Sequence, residues 1–352
     1  MSREATINAA QAINEALHLA MAQDEHVLKF GLGVDDPKAI FNTTAGLQER
    51  FGAARVFDTP TSENGMTGIA IGAALAGMRP VMCHQRLDFF LLALDQLVNN
   101  AAKWHYTFGR PVPLTIRLIM GRGWGQGPTH SQNLQAWFAH VPGLKVVMPA
   151  NAADAKGLLL SSIFDDDPVV FLEHRWLHFA QGEVPEGDVR VPLGKAAIRQ
   201  AGDAVTIVAA SYMVVEALHA CRALEAAGVH CELIDLRTVK PLDWDTVYAS
   251  VRRTGRLLAL DTGAATGSIA GEIVARASMD CWSALKAPPL RLALPDCPEP
   301  TSYGLTRQFY PGAEEIVRCI GKMLGLPSLP LEFLPQRHTH HDVPGVWFSG
   351  PF

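Results

Sequence analysis

Glu63 is the residue in this chain whose type and setting most suggest chemistry. It sits in Thr59-Pro60-Thr61-Ser62-Glu63-Asn64-Gly65-Met66-Thr67-Gly68-Ile69-Ala70-Ile71-Gly72. Pro60 and Ser62 mark a polar turn, and the small residues after them read as a helix over 65–77. Gly65, Gly68, Gly72 and Gly77 leave one face of that helix nearly bare, so another backbone or a flat ring can come close. The carboxylate just ahead of this face is the candidate catalytic group; the competing reading is close helix packing beside an exposed acidic turn. A second candidate is His130, which ends the Gly-rich, poorly periodic run from Gly121, a segment that reads as a mobile loop.

The elements that must hold these groups follow from periodicity. Short apolar runs at Val27–Phe30, Arg55–Phe57, Pro80–Cys83, Leu114–Leu118, Lys145–Met148 and Val169–Leu172 read as strands. They alternate with helical patterns over 4–22, 44–51, 65–77, 89–105, 132–139 and 152–165, the signature of a doubly wound α/β unit. Several strands are apolar nearly throughout, as expected when helices cover both sheet faces. The polar stretch from His174 to Asp188 reads as a linker. A second α/β series follows, with strands at 205–210, 231–236 and 257–260 and helices over 213–226, 243–252 and 268–279. The expected organisation is a first domain over 1–175, a linker over 176–190, a smaller α/β C-terminal domain over 191–325 and an irregular tail over 326–352.

Composition sets outer limits. At 352 residues, with 48% hydrophobic and 18% charged, the chain suits two packed domains and not disorder. The net charge of −5 comes from interspersed acids and bases, so nucleic acid and anionic membranes are not expected as partners. No signal region opens the sequence and no apolar stretch reaches bilayer length, which points to a cytoplasmic protein. The six cysteines form no C-x-x-C pair, against both a zinc site and a disulfide framework. The tail carries His338, His340 and His341 with Trp347, Phe348 and Phe352; its apolar character is expected to dock it on a partner subunit, in preference to a metal site at the histidines.

The flanks Arg55-Val56-Phe57-Asp58-Thr59-Pro60 and Ala73-Ala74-Leu75-Ala76-Gly77-Met78-Arg79-Pro80-Val81 extend the Glu63 motif. Further along stand Leu94-Asp95-Gln96-Leu97-Val98-Asn99-Asn100-Ala101-Ala102-Lys103, Thr129-His130-Ser131-Gln132, Pro142-Gly143-Leu144-Lys145-Val146-Val147-Met148-Pro149 and Asp154-Ala155-Lys156-Gly157-Leu158-Leu159. In this order they resemble the β chain of the thiamin-diphosphate-dependent E1 component of 2-oxo acid dehydrogenases, a transketolase-like family, over roughly residues 3–325. The resemblance implies a pyrimidine-binding domain followed by a transketolase C-terminal-like domain. It also implies that Glu63 faces the cofactor's aminopyrimidine and helps it to deprotonate the reactive carbon, with Gln85 and Phe89 contacting the same ring. His130 is then the histidine facing the reacting substrate. Potassium, as a structural monovalent cation, is implied at backbone carbonyls matching Ser162, Ile163, Asp165 and Asp167, although Asp165-Asp166-Asp167 reads equally as a solvated helix end.

A Gly-Asp-Gly that would hold the diphosphate through Mg2+ is missing from the sequence. The resemblance therefore implies an α chain carrying that half of the site, in an α2β2 assembly, with a lipoyl acyltransferase as a further partner. Two departures from the family pattern stand out. Gly31-Leu32-Gly33 and Cys83 replace residues where the family usually has acids, and the unusual Cys83-His84-Gln85-Arg86 run sets His84 and Arg86 as candidate substrate contacts. Three functions remain open at this point: an E1-type subunit, a thiamin-dependent carboligase or transketolase-like enzyme on the same two-chain plan, and a non-catalytic structural subunit.

Overall fold

A computed structural model describes residues 4–122, 126–336, 343–345 and 347–348. The chain opens with β1 (Glu4–Asn8) and then lays down β2 (Val27–Gly31), β3 (Val56–Asp58), β4 (Arg79–His84), β5 (Thr115–Met120), β6 (Lys145–Val147) and β7 (Val169–His174). The last six are parallel, in spatial order β6-β7-β5-β4-β2-β3. All of β5 and β7 is buried because helices cover both faces. Helices Ala9–Gln23 and Ala152–Ile163 pack on one side, and helix Glu63–Leu75 with the segment after β4 packs on the other.

β8 (Gln181–Pro185) returns to pair antiparallel with β1. A second sheet follows from β9 (Ala197–Gln200), β10 (Thr206–Ala209), β11 (Glu232–Asp235), β13 (Leu257–Ala264) and β14 (Leu290–Leu294), with β12 (Thr238–Lys240) placed elsewhere. Its order is β14-β13-β10-β11-β9, parallel except at β9. β12 leaves that sheet and adds antiparallel to β6, so the first sheet has seven strands, one supplied by the second half of the chain. The expected class, a doubly wound α/β domain followed by a smaller α/β domain, is the one observed.

Local differences have physical causes. Residues 4–8, expected to begin a helix, are extended because they pair with β8; the helix starts after Asn8, whose side chain accepts from Gln11 N while Gln11 Oε1 accepts from Asn8 N. The expected helix over 89–105 is broken into Leu87–Phe90, a 3-10 turn at Leu91–Ala93, a π segment at Gln96–Ala101 and Ala102–Phe108. The stretch read as a linker contains β8 and the buried turn Arg175–Leu177. In the tail, Val343, Trp347 and Phe348 pack on Trp176, Leu177 and Tyr212 of the same chain, and Trp347 Nε1 donates to Trp176 O at 3.4 Å. These described residues thus pack on their own chain. His338, His340, His341 and Phe352 lie outside the described residues, as do Gly123, Trp124 and Gly125 of the loop before His130.

Candidate active site

The candidate residues gather where parallel strands end, the edge at which sheets of this kind place ligands. Asp58 closes β3 and accepts from Gly33 N at 2.9 Å and Val34 N at 2.6 Å, fixing the loop that leaves β2. Gly33 in that loop has φ +78°, and a Cβ there would stand 2.5 Å from Gln85 Nε2. Glycine thus lets the loops after β2 and β4 close on each other. Glu63 is the first residue of helix Glu63–Leu75 and not part of a turn ahead of it, a place where the positive end of the helix favours a carboxylate. It is 8% exposed, and its carbonyl accepts from Thr67 Oγ1 at 2.8 Å.

A cavity of about 460 Å³ is lined by Gly33, Phe41, Gln85, Arg86, Phe89 and His130, together with Asp36, Lys38, Ile40 and Gln126. Phe89 and His130 meet edge to face, with centroids 5.2 Å apart and planes at 88°. His130 Nδ1 contacts Thr129 Oγ1 at 3.1 Å. Glu63 is not among the lining residues; it starts the helix that follows β3, at the same edge of the sheet. Larger hollows of about 570 and 500 Å³ flank helix Gln135–His140 and contain none of these residues. The smaller cavity is the one in which an amide, an aromatic ring, a histidine and a cation converge.

The two candidate substrate contacts part ways. His84 ends β4 with its ring fully buried against Phe90, centroids 4.9 Å apart, and neither ring nitrogen has a partner. Burial and nearby Lys29 push its pKa down to about 3, so it is a neutral core residue outside the cavity. Arg86 is 4% exposed yet lines the cavity; Nη2 donates to Gln126 Oε1 at 2.5 Å and Nη1 to Gly121 O at 3.4 Å. Burial lowers it to about 10, which leaves it cationic at neutral pH.

The potassium segment is already engaged. Arg79 Nη1 donates to Asp165 O at 3.0 Å and Ile163 O at 3.4 Å, and Ser162 Oγ donates to Leu158 O at 2.7 Å. The Asp165 and Asp167 carboxylates pair with Lys145, and Asp167 also with His105.

Sequence reasoning missed what lies beneath the cavity. Arg117 and Glu173 form a buried bidentate pair at 2.6 and 2.9 Å, and His178 Nε2 joins Glu173 Oε2 at 3.1 Å. Burial alone would raise the Glu173 carboxyl, but Arg117 and His178 hold it at about 2. Lys29, also fully buried, donates to Cys83 Sγ at 2.7 Å. Charged residues inside otherwise apolar strands were the available signal. Also unread was the turn Ala39–Asn42, where four successive non-glycine residues have φ between 44° and 67°. Each such residue costs about 1–2 kcal/mol. Ile40 and Phe41 of this turn line the cavity, and the Arg175 guanidinium lies 4.0 Å from the Phe41 ring centre.

Comparison with known proteins agrees with this geometry. Residues 5–178 match the transketolase pyrimidine binding domain and residues 194–316 the transketolase C-terminal domain. The chain is 40% identical to the β subunit of acetoin:2,6-dichlorophenolindophenol oxidoreductase of Bacillus subtilis, covering 92% of this chain and 98% of that one. It is 41% identical to the mitochondrial pyruvate dehydrogenase E1 component subunit beta of Caenorhabditis elegans, covering 91% and 93%. A split gene transketolase solved as an inactive beta4 tetramer shares the fold, with TM-score 0.73 and 22% identity over 92% of this chain and 99% of that chain. With both domains matched in order and such identity along nearly its whole length, the chain belongs to the transketolase-like family of thiamin-diphosphate-dependent E1 β subunits.

Proposed function

We propose that this chain is the β half of a two-chain thiamin-diphosphate enzyme that decarboxylates a 2-oxo acid and transfers the acyl group. The observation that carries this reading is the edge-to-face contact of Phe89 and His130 in the cavity at the sheet edge where Glu63 begins its helix. When bound, the cofactor supplies a nucleophilic carbon and an electron sink. Glu63 would hold a proton at the pyrimidine nitrogen, Phe89 would pack on that ring, and the Gln85 amide would orient it. With Nδ1 engaged by Thr129, the other nitrogen of His130 is the one left to hold a proton at the substrate.

The α chain, in an α2β2 assembly, would hold the diphosphate and Mg2+, and a lipoyl acyltransferase would accept the acyl group. The described residues contain no helix long and apolar enough to cross a membrane, and we place the enzyme in the cytoplasm. Potassium at Ser162, Ile163, Asp165 and Asp167 would have to share two carbonyls with Arg79. Melting the complex in potassium and then in lithium tests that site, since a bound potassium raises the midpoint. The main reading is tested by purifying the chain with its α partner and following a dye oxidant over a panel of 2-oxo acids. Turnover supports it, whereas tight Mg2+-dependent cofactor binding by the chain alone overturns the two-chain plan.

A further inference from the structure

Arg86 is a buried cation on a cavity wall, and its direct contacts are neutral oxygens, the Gly121 carbonyl and the Gln126 amide. The charges around it do not cancel it by contact. Asp88 lies within electrostatic range but makes no ion pair with Arg86 among the described residues, and its Oδ1 accepts from Gln132. Buried Arg175 adds a second positive charge that the two guanidinium groups feel mutually. On the cavity wall itself stand Lys38 and Asp36, so the lining carries two cations against one carboxylate. Burying a guanidinium costs several kcal/mol unless an anion meets it. A ligand carboxylate or phosphate does so with the parallel donor geometry that arginine offers.

Which anion it meets follows from the chemistry. The carboxylate lost in decarboxylation becomes neutral CO2, and a cation held against it would stabilise the ground state more than the transition state. A cation is useful instead at a negative group that persists through the reaction. Arg86 and His130 line the same cavity, whose volume of about 460 Å³ accommodates a small molecule touching both. Resting on the E1 reading above, we propose that Arg86, with Lys38, forms a subsite for a second anionic group of the substrate, distal to its reacting carbonyl. The substrate class is then a 2-oxo acid bearing a distal carboxylate or phosphate.

The test uses the complex with the α chain. Values of kcat/KM are measured for pyruvate, for 2-oxoglutarate and for a phosphorylated 2-oxo acid, in wild type, Arg86→Met and Arg86→Lys. Wild type should favour a distal-anion substrate over pyruvate, and Arg86→Met should reduce that ratio by about 10- to 100-fold, the range for a charged hydrogen bond. Arg86→Lys should keep part of the preference. An unchanged ratio in Arg86→Met overturns the subsite. A second readout needs no turnover: glutarate or inorganic phosphate should raise the melting temperature of wild type and not of Arg86→Met. Should Arg86→Met fail to fold, Lys38→Met carries the same comparison. The stronger of the two anions identifies the substrate's distal group, and a melting temperature unmoved by either rejects the proposal. A positive anion shift without turnover of any 2-oxo acid would sink the E1 reading and leave the anion site standing.

Discussion

The two sheets bury polar groups for different ends. In the second, Thr206 Oγ1 bonds the hydroxyls of Ser250 and Thr254 at 2.7 and 2.8 Å, and Asp261 accepts from Gly263 N and Ala270 N at 3.0 and 3.1 Å. These bonds tie a strand to the helices beside it. In the first sheet, His84 has no partner at either ring nitrogen, Arg117 has an idle Nη1, and Arg86 leans on neutral oxygens. Similar α/β frameworks therefore differ in kind: the first half is electrically uneven, burying the cations Lys29, Arg86 and Arg117 near the unpartnered ring of His84, while the second leaves Ser211 Oγ and Glu232 Oε1 without hydrogen-bond partners among the described residues but ties its strands to its helices through hydroxyl and carboxylate bonds. The uneven half is the one whose strand ends carry Glu63, Gln85, Phe89 and His130.

The comparison is broken most sharply at Glu63. Replacing it with Gln should leave the fold intact and slow turnover of the αβ complex by about 10²- to 10⁴-fold, the range for loss of a proton-handling group. Exchange of the cofactor's C2 proton, followed by NMR, checks this, and an exchange rate equal to wild type would remove Glu63 from the chemistry. Next in size is Glu173→Gln, which strands buried Arg117 and should destabilise the chain by about 3–5 kcal/mol in urea unfolding. The matching change in the second sheet, Glu232→Gln, also alters a buried carboxylate, but its partner Arg253 is half-exposed and can regain water, so the loss should be smaller than at Glu173. Equal losses at the two sites would erase the distinction drawn here.

Acid should act through the same half. Burial, aided by Lys29 at His84 and by His178 and Arg86 at His174, holds both histidines at about 3 in the fold. The unfolded chain takes up protons there below its ordinary value of about 6.5, so stability is full above pH 6.5 and is lost as pH falls toward 3. At pH 5 the two together should remove roughly 4 kcal/mol. Unfolding midpoints measured from pH 7.5 to 4.5 test this, and a double His84→Gln, His174→Gln variant should flatten the profile. The smallest effect expected is at Thr206→Val, about 1 kcal/mol for one lost set of neutral hydrogen bonds, without change in the pH profile.

What could be read from sequence depended on how local the cause was. Strands such as Val27–Gly31 and Val169–His174 declared themselves because both faces are covered and their residues are apolar almost throughout. Residues 4–8 and 181–185 have no such pattern, since each is extended only because the other is. Beyond residue 279 the reading stopped, although helix Ala313–Leu324 buries Ile316, Val317 and Ile320 along one face. At the site, Glu63 and His130 stood out by their type and setting, Gln85 and Phe89 came from a family resemblance, and the fold brings Gln85, Phe89 and His130 into one cavity. His84 was grouped with Arg86 by adjacency, but as the last residue of a buried strand it sends its ring into the core. The Arg117–Glu173 pair and the left-handed turn at 39–42 depend on tertiary contacts that periodicity does not report.

The strand that β12 lends to β6 has a consequence in time. As the chain leaves the ribosome, β6 is complete at Val147, but the segment that covers its outer edge is not made until Lys240. At synthesis rates of 5–20 residues per second, those roughly ninety residues leave the edge open for on the order of 5–20 s. An open strand edge is a template for pairing with neighbouring nascent chains on a polysome. Lys145 on β6 sets a charge at that edge, of the kind that discourages such pairing. Slowing translation across 148–240 should therefore lower the yield of folded chain, and a genetic split between the domains should yield a first half that aggregates unless the 238–240 segment is supplied with it.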